Sequence, residues 1–82
     1  MNIVSKWIVG GRLLGIPKSM DFQREIFSYI VKNEFESGCT YSEKEVNEKL
    51  GIYYFDFVTL RRALVDLKLL KRAKDGSLYE RY

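Results

Sequence analysis

The residues best suited to chemistry in this 82-residue sequence are cations: Arg61 and Arg62 side by side, then Lys71, Arg72 and Lys74 a short way on. A guanidinium presents five N–H donors in a planar fork that fits phosphate oxygens or the O6/N7 edge of guanine, and an ammonium adds a point charge. These residues offer recognition of a polyanion, not bond-making. Groups for bond-making are scarce. There is no histidine, which removes the usual imidazole base and the commonest transition-metal ligand. The single cysteine, Cys39, cannot form an internal disulfide and lacks the partners of a zinc site; between Gly38 and Thr40 it reads as a small buried hydrophobe. Glu43, Glu45 and Glu48 interleave with Lys44 and Lys49 as a solvated helix surface does. No phosphate loop, triad or metal cluster is spelled, so neither catalysis, a metal nor a cofactor is expected.

Charge is unevenly spread along the chain. Residues 1–20 carry three cations and no anion, residues 21–55 four cations against seven anions, and residues 56–82 seven against four. The basic excess therefore sits at the two ends, which suits one-sided contact with a polyanion. An apolar share of 46% is ample for a core and argues against disorder. The chain has room for one domain only. Its first apolar residues (Ile3, Val4, Trp7, Ile8, Val9) are broken by Ser5 and Lys6 and stop at Gly10-Gly11. That falls far short of the roughly 20 apolar residues a spanning helix needs, so neither a membrane segment nor a signal peptide is expected and a cytoplasmic location is the default.

Which elements would hold the cations? Gly10-Gly11 is a permitted two-residue hairpin turn, predicting strands at 7–9 and 12–16 that Pro17 closes. Ser19 then caps a helix to about residue 35, with Asp21 in its first turn and Phe22, Ile26, Tyr29 and Ile30 as the buried stripe; Gly38 stops it. Ser42-Glu43-Lys44-Glu45 is a capping box, flanked by Tyr41 and Val46 as a hydrophobic staple. It predicts a helix at 43–50 ended by Gly51. Tyr53, Tyr54 and Phe55 form an apolar connection, and Asp56 caps a third helix to about residue 67. At 100° per residue, Phe57, Leu60, Leu64 and Leu67 face the core, flanked by Ala63 and Arg61, while Val58, Thr59, Arg62, Val65 and Asp66 face outward. Arg61, beside the buried stripe, can equally lock onto Glu45 or Glu48 of the preceding helix. Asp75-Gly76 is a strong hairpin signal and predicts two antiparallel strands on either side, with a basic tip. The cations of that hairpin would touch phosphate or simply protect an edge strand.

The run Tyr41 to Asn47, then Asp56-x-x-Thr59-Leu60-Arg61-Arg62-x-Leu64-Val65-Asp66, then Leu70-x-Arg72 and Asp75-Gly76-Ser77-x-Tyr79, resembles a bacterial family catalogued as a domain of unknown function. That family occurs alone or joined to helix-turn-helix regulators of the ArsR type. Gly11-Arg12-Leu13 and Ile16-Pro17-Lys18 resemble its leading segment, so the likeness covers roughly residues 10–82. It implies a winged-helix-like transcriptional regulator. Lys68 departs from the pattern, which implies glycine there; a left-handed Lys68 costs about 1 kcal/mol relative to glycine. The aromatic run Tyr53-Tyr54-Phe55 also departs from it.

The expectation is an α+β winged helix: three helices and a two-stranded wing over residues 18–82, with a hairpin or extension at 1–17. Double-stranded DNA is the expected partner, read by the third helix in the major groove through Thr59, Arg61 and Arg62, with Lys71, Arg72 and Lys74 on backbone phosphates. Asp56 and Asp66 on that helix oppose phosphate contact. A homodimer or a regulator partner would supply the further contacts a single module lacks, with Trp7 and Ile8 as the dimer surface. The alternative is a protein-interaction module using Tyr53, Tyr54, Phe55 and the face Val58/Val65. A ligand-sensing fragment is a third reading, requiring a pocket between the N-terminal hairpin and the first helix.

Overall fold

Ser42 fixes the layout of the middle of the chain. In the computed structural model, which describes residues 2–82, its hydroxyl accepts from the Glu45 amide at 3.1 Å and its own amide donates to the Glu45 carboxylate at 2.9 Å. Two amide donors with no partner inside the helix are thereby satisfied, and the helix must start at Glu43. Around this start the chain runs α1 (Ile3–Trp7), β1 (Ile8–Val9), β2 (Arg12–Leu13), α2 (Met20–Glu34), β3 (Thr40–Ser42), α3 (Glu43–Tyr53), α4 (Phe57–Asp66), β4 (Leu70–Arg72) and β5 (Leu78–Arg81). The architecture is α+β: four helices with two small antiparallel sheets among the described residues. No helix among them is long and apolar enough to cross a membrane.

The N-terminal hairpin forms around Gly10-Gly11, both at positive φ (61° and 78°) as a two-residue primed turn requires. It is shorter than expected, pairing only Ile8 with Leu13 and Val9 with Arg12. Residues 3–7 form a one-turn helix that periodicity did not signal, capped by the Asn2 side chain, which accepts from the Ser5 amide at 3.0 Å. Trp7 therefore lies in α1 and not in a strand. The turn is packed against α2, and Trp7 and Ile8 are half-buried against the core.

Ser19 caps α2 as expected, accepting from the Phe22 amide. The buried stripe differs: Ile26, Phe27, Ile30 and Val31 face the core, while Phe22 and Tyr29 are exposed. Two large residues, Phe27 and Val31, pull the inward face around the helix from the expected line. The second helix also differs. α3 runs through Gly51 to Tyr53 and Gly51 is not left-handed. Two interactions carry it past the glycine. Tyr53 is buried with its hydroxyl donating to the Glu34 carboxylate at 2.8 Å, and Arg12 Nη1 donates to the Ile52 carbonyl at 2.6 Å and the Gly51 carbonyl at 3.4 Å. A guanidinium at a helix C-terminus satisfies free carbonyls and opposes the negative end of the dipole.

Asp56 caps α4 as expected, its carboxylate accepting from the Thr59 amide at 3.2 Å and the Thr59 hydroxyl at 2.7 Å. Leu60, Leu64 and Leu67 are buried and Phe57 packs at their margin. The wider sheet has the order β3-β5-β4, all antiparallel. β5 is thus its central strand, and β3 is a third strand that residue pattern did not reveal. The turn after β4 is wider than Asp75-Gly76 alone: the Gly76 amide donates to the Ala73 carbonyl at 2.9 Å, so Lys74 and Asp75 are its central residues. Gly76 follows at φ 75° and the Asp75 carboxylate accepts from the Ser77 amide and hydroxyl.

α4 ends at Lys68 in the left-handed region (φ 60°), with the Leu69 amide bonded to the Leu64 carbonyl and the Lys68 amide to the Val65 carbonyl. Both bonds define a Schellman stop, which glycine fills without steric cost. Lys68→Gly should therefore raise stability by about 0.5–1 kcal/mol in urea unfolding with an unchanged m-value. Acid should do the opposite through the helix caps. Glu45 is held below its ordinary 4.5 by hydrogen bonds from the Ser42 amide and hydroxyl, and Asp56 below 3.8 by the Thr59 hydroxyl and amide. Carboxylates lowered by folding stabilise fully above their unfolded values and lose that stabilisation as pH falls through the folded ones. Tm should decline as pH drops below 4.5, and less so in an E45Q/D56N double variant.

Candidate functional site

Four polar side chains join α3, α4 and the sheet. Arg61, its side chain only 14% exposed, donates to the Asn47 side-chain oxygen Oδ1 and lies 3.8 Å from Glu43, whose same oxygen accepts from the Tyr79 hydroxyl at 2.9 Å. The sequence expectation for Arg61 named Glu45 or Glu48. Glu45 is turned back onto its own cap, and Glu43 and Asn47, one turn apart on α3, are the residues that face α4. Arg61 is a fixed strut between helices.

Arg62 is the outward arginine of α4 and is exposed. Together with Arg61, Val65, Asp66, Arg72 and Tyr79 it lines a cleft of about 320 Å³ between α4 and the β4–β5 hairpin. Arg72 reaches this cleft because Arg72 and Tyr79 are cross-strand partners and so share a face of the sheet. Lys71 pairs with Glu80 on the other face, beside a depression lined by Thr40, Ala73 and Leu78. Lys74 is exposed at the turn. The basic set is therefore divided: Arg62 and Arg72 face one another's side, while Lys71 faces away. Thr59 is exposed, but its hydroxyl is committed to Asp56.

The aromatic candidates are divided as well. Tyr53 belongs to the core, where burial and the adjacent Glu34 carboxylate hold its hydroxyl protonated well above the usual tyrosine range. Tyr54 is half-buried, stacked at a tilt on Phe55 with ring centroids 5.0 Å apart, and Phe55 is 78% exposed. Of the aromatic run only Phe55 is open surface, and Ile52, just before the run, is also exposed. Val58 and Val65 on α4 are half-buried. Cys39 corrects another expectation: it is exposed in the turn before β3, its Sγ 3.7 Å from the Glu36 carboxylate. Sequence reasoning missed Lys49, whose ammonium sits 5.5 Å from the Tyr41 ring centre and 5.9 Å from that of Phe35. Its spacing from Glu45 read as ordinary surface pairing, which hid the cation–π contact.

The two adjacent arginines should behave differently on truncation. Arg61→Ala leaves Asn47 and Glu43 without their partner and should cost about 1–3 kcal/mol in chemical denaturation. Arg62→Ala removes an exposed side chain with no internal partner and should stay within about 0.5 kcal/mol of the parent.

The chain matches the model of a bacterial family over residues 12–81, which span β2 to β5. No curated protein and no solved structure matches it significantly. The protein therefore belongs to the family described as "Uncharacterized protein conserved in bacteria (DUF2087)".

Proposed function

We propose that this chain is a winged-helix DNA-binding domain of a transcriptional regulator, with α4 in the major groove and the β4–β5 hairpin as the wing. The observation that carries the reading is that an exposed helix arginine, Arg62, and a hairpin arginine, Arg72, line one cleft. α3 and α4 are joined by three residues and followed directly by the hairpin. The order helix, strand, helix, helix, strand, strand from α2 to β5, with β3 joined to β5, supports a winged-helix reading. In such a module the second helix of the pair presents side chains to base edges while cations on flanking segments hold phosphates. Arg62 is the base-reading candidate, with Arg72 and Lys74 as the phosphate contacts of the wing. Arg61 and Thr59 support this face instead of touching DNA, because both are occupied internally. Asp66 lines the same cleft and opposes phosphate contact there, so the contact falls to Arg62, Arg72 and Lys74. Few contacts are available to one copy, so a homodimer or a linked ArsR-type regulator would supply the rest.

A second reading rests on Ile52 near the end of α3 and Phe55 in the α3–α4 connection, both exposed. It makes the domain a protein-interaction module docking through that corner.

Fluorescence anisotropy with mixed-sequence duplex DNA across a salt series separates the two. The DNA reading expects a log–log slope of about −3 to −6, at roughly −0.9 per phosphate neutralised. Arg62→Ala and Lys74→Ala should each weaken binding while leaving the fold intact. Absence of binding at low salt by folded protein at tens of micromolar would overturn it and favour the Phe55/Ile52 corner.

A further inference from the structure

The chain contains six arginines, and four are used inside the molecule. Arg12 caps the end of α3, Arg24 donates to the Leu67 carbonyl at 3.2 Å, Arg61 bridges to Asn47 and Glu43, and Arg81 donates to the Phe35 carbonyl at 3.3 Å. Arg62 and Arg72 make neither a hydrogen bond nor an ion pair among the described residues, and they are the two that line one cleft from opposite elements. Arg72 is not loose there. Its guanidinium folds back across the turn so closely that a Cβ added to Gly76 would lie 2.5 Å from its Nη2. The turn's glycine thus leaves the space in which Arg72 is held.

We infer that Arg62 and Arg72 form a two-guanidinium clamp for the phosphoryl group of a small phosphate ester. Each has a carboxylate nearby, Asp56 for Arg62 and Asp75 for Arg72, but neither is engaged in a hydrogen bond or close ion pair, and two such forks lining one cleft suit the oxygens of a dianion, which accepts paired N–H bonds from each. The rest of the cleft describes the remainder of the ligand. Its volume of about 320 Å³ falls in the size range of small-molecule sites and holds more than a bare phosphate. Val65 supplies an apolar wall, and Asp66 supplies a carboxylate that accepts from a hydroxyl or amino group. Asp66 also favours an ester that ends in one phosphoryl group and can turn a donor toward the carboxylate. The ligand class is therefore a phosphate monoester with a hydroxyl-bearing organic part. The clamp does not depend on the DNA reading and is tested apart from it.

The arginine Nε–Hε signals of the full chain, followed by NMR during titration at constant ionic strength, test the clamp directly. Glycerol 3-phosphate should shift the Arg62 and Arg72 signals saturably, and inorganic phosphate should do so more weakly. Arg62→Gln and Arg72→Gln, both surface changes with the backbone spectrum as a check on folding, should each cost about tenfold in affinity as charge-assisted bonds are lost. Lys6→Gln should change nothing. Affinity should rise as pH passes about 6, where a monoester gains its second charge. Three results overturn the proposal: no saturable shift with either small probe, a response kept in the R62Q/R72Q double variant, or a response to duplex DNA but to neither small probe. The last would assign the cleft to backbone phosphate. Failure of DNA binding in the anisotropy series would leave the glycerol 3-phosphate result unaffected.

Discussion

A tyrosine hydroxyl and a carboxylate oxygen hold the two halves of this fold in one piece. Tyr79 is 1% exposed in the central strand, and a buried phenol needs a partner for its hydroxyl. Glu43 provides it from the first turn of α3, where the helix dipole already favours an anion. The same oxygen faces Arg61 of α4, and Asn47 closes the group from one turn further along α3. Sheet, α3 and α4 are thus fixed mutually, and with them the width of the cleft between α4 and the hairpin. The apolar residues Leu60, Leu64 and Leu70 drive these elements together. The polar group decides the register in which they meet, because its donors, Tyr79 and Arg61, find their acceptors only on Glu43 and Asn47 of α3.

This division of labour explains what was readable in the sequence. Starts of helices were readable because a cap is a local event: Ser19, Ser42 and Asp56 each need only the residue three positions on. The left-handed Lys68 was readable for the same reason, since a helix stop is also local. The inward face of α4 followed from spacing because its leucines are the only large aliphatics on that line. The inward face of α2 did not follow, since Phe22 and Phe27 lie about 140° apart on the helix and each could have anchored it.

Ends and partners were hidden for the opposite reason. α3 runs past Gly51 because Arg12, far away in sequence, reaches its last carbonyls and because Tyr53 finds Glu34 across the core. β3 is three residues long and exists by pairing with β5, which no local pattern announces. The arginines make the point most plainly. Arg61 and Arg62 are indistinguishable as letters, and about 100° of helix rotation makes one a strut and the other a free cation. Arg72 is separated from its neighbour Lys71 by the alternation of a strand.

The hold of Arg12 on the end of α3 has a mechanical consequence. The carbonyls it grips, at Gly51 and Ile52, lie in the last turn of α3, one residue short of the three that turn the chain into α4. Arg12 itself belongs to a two-strand ribbon whose other strand continues from α1, seated on α2. The leading ribbon is therefore tied by one guanidinium to the helix end that precedes the corner into α4.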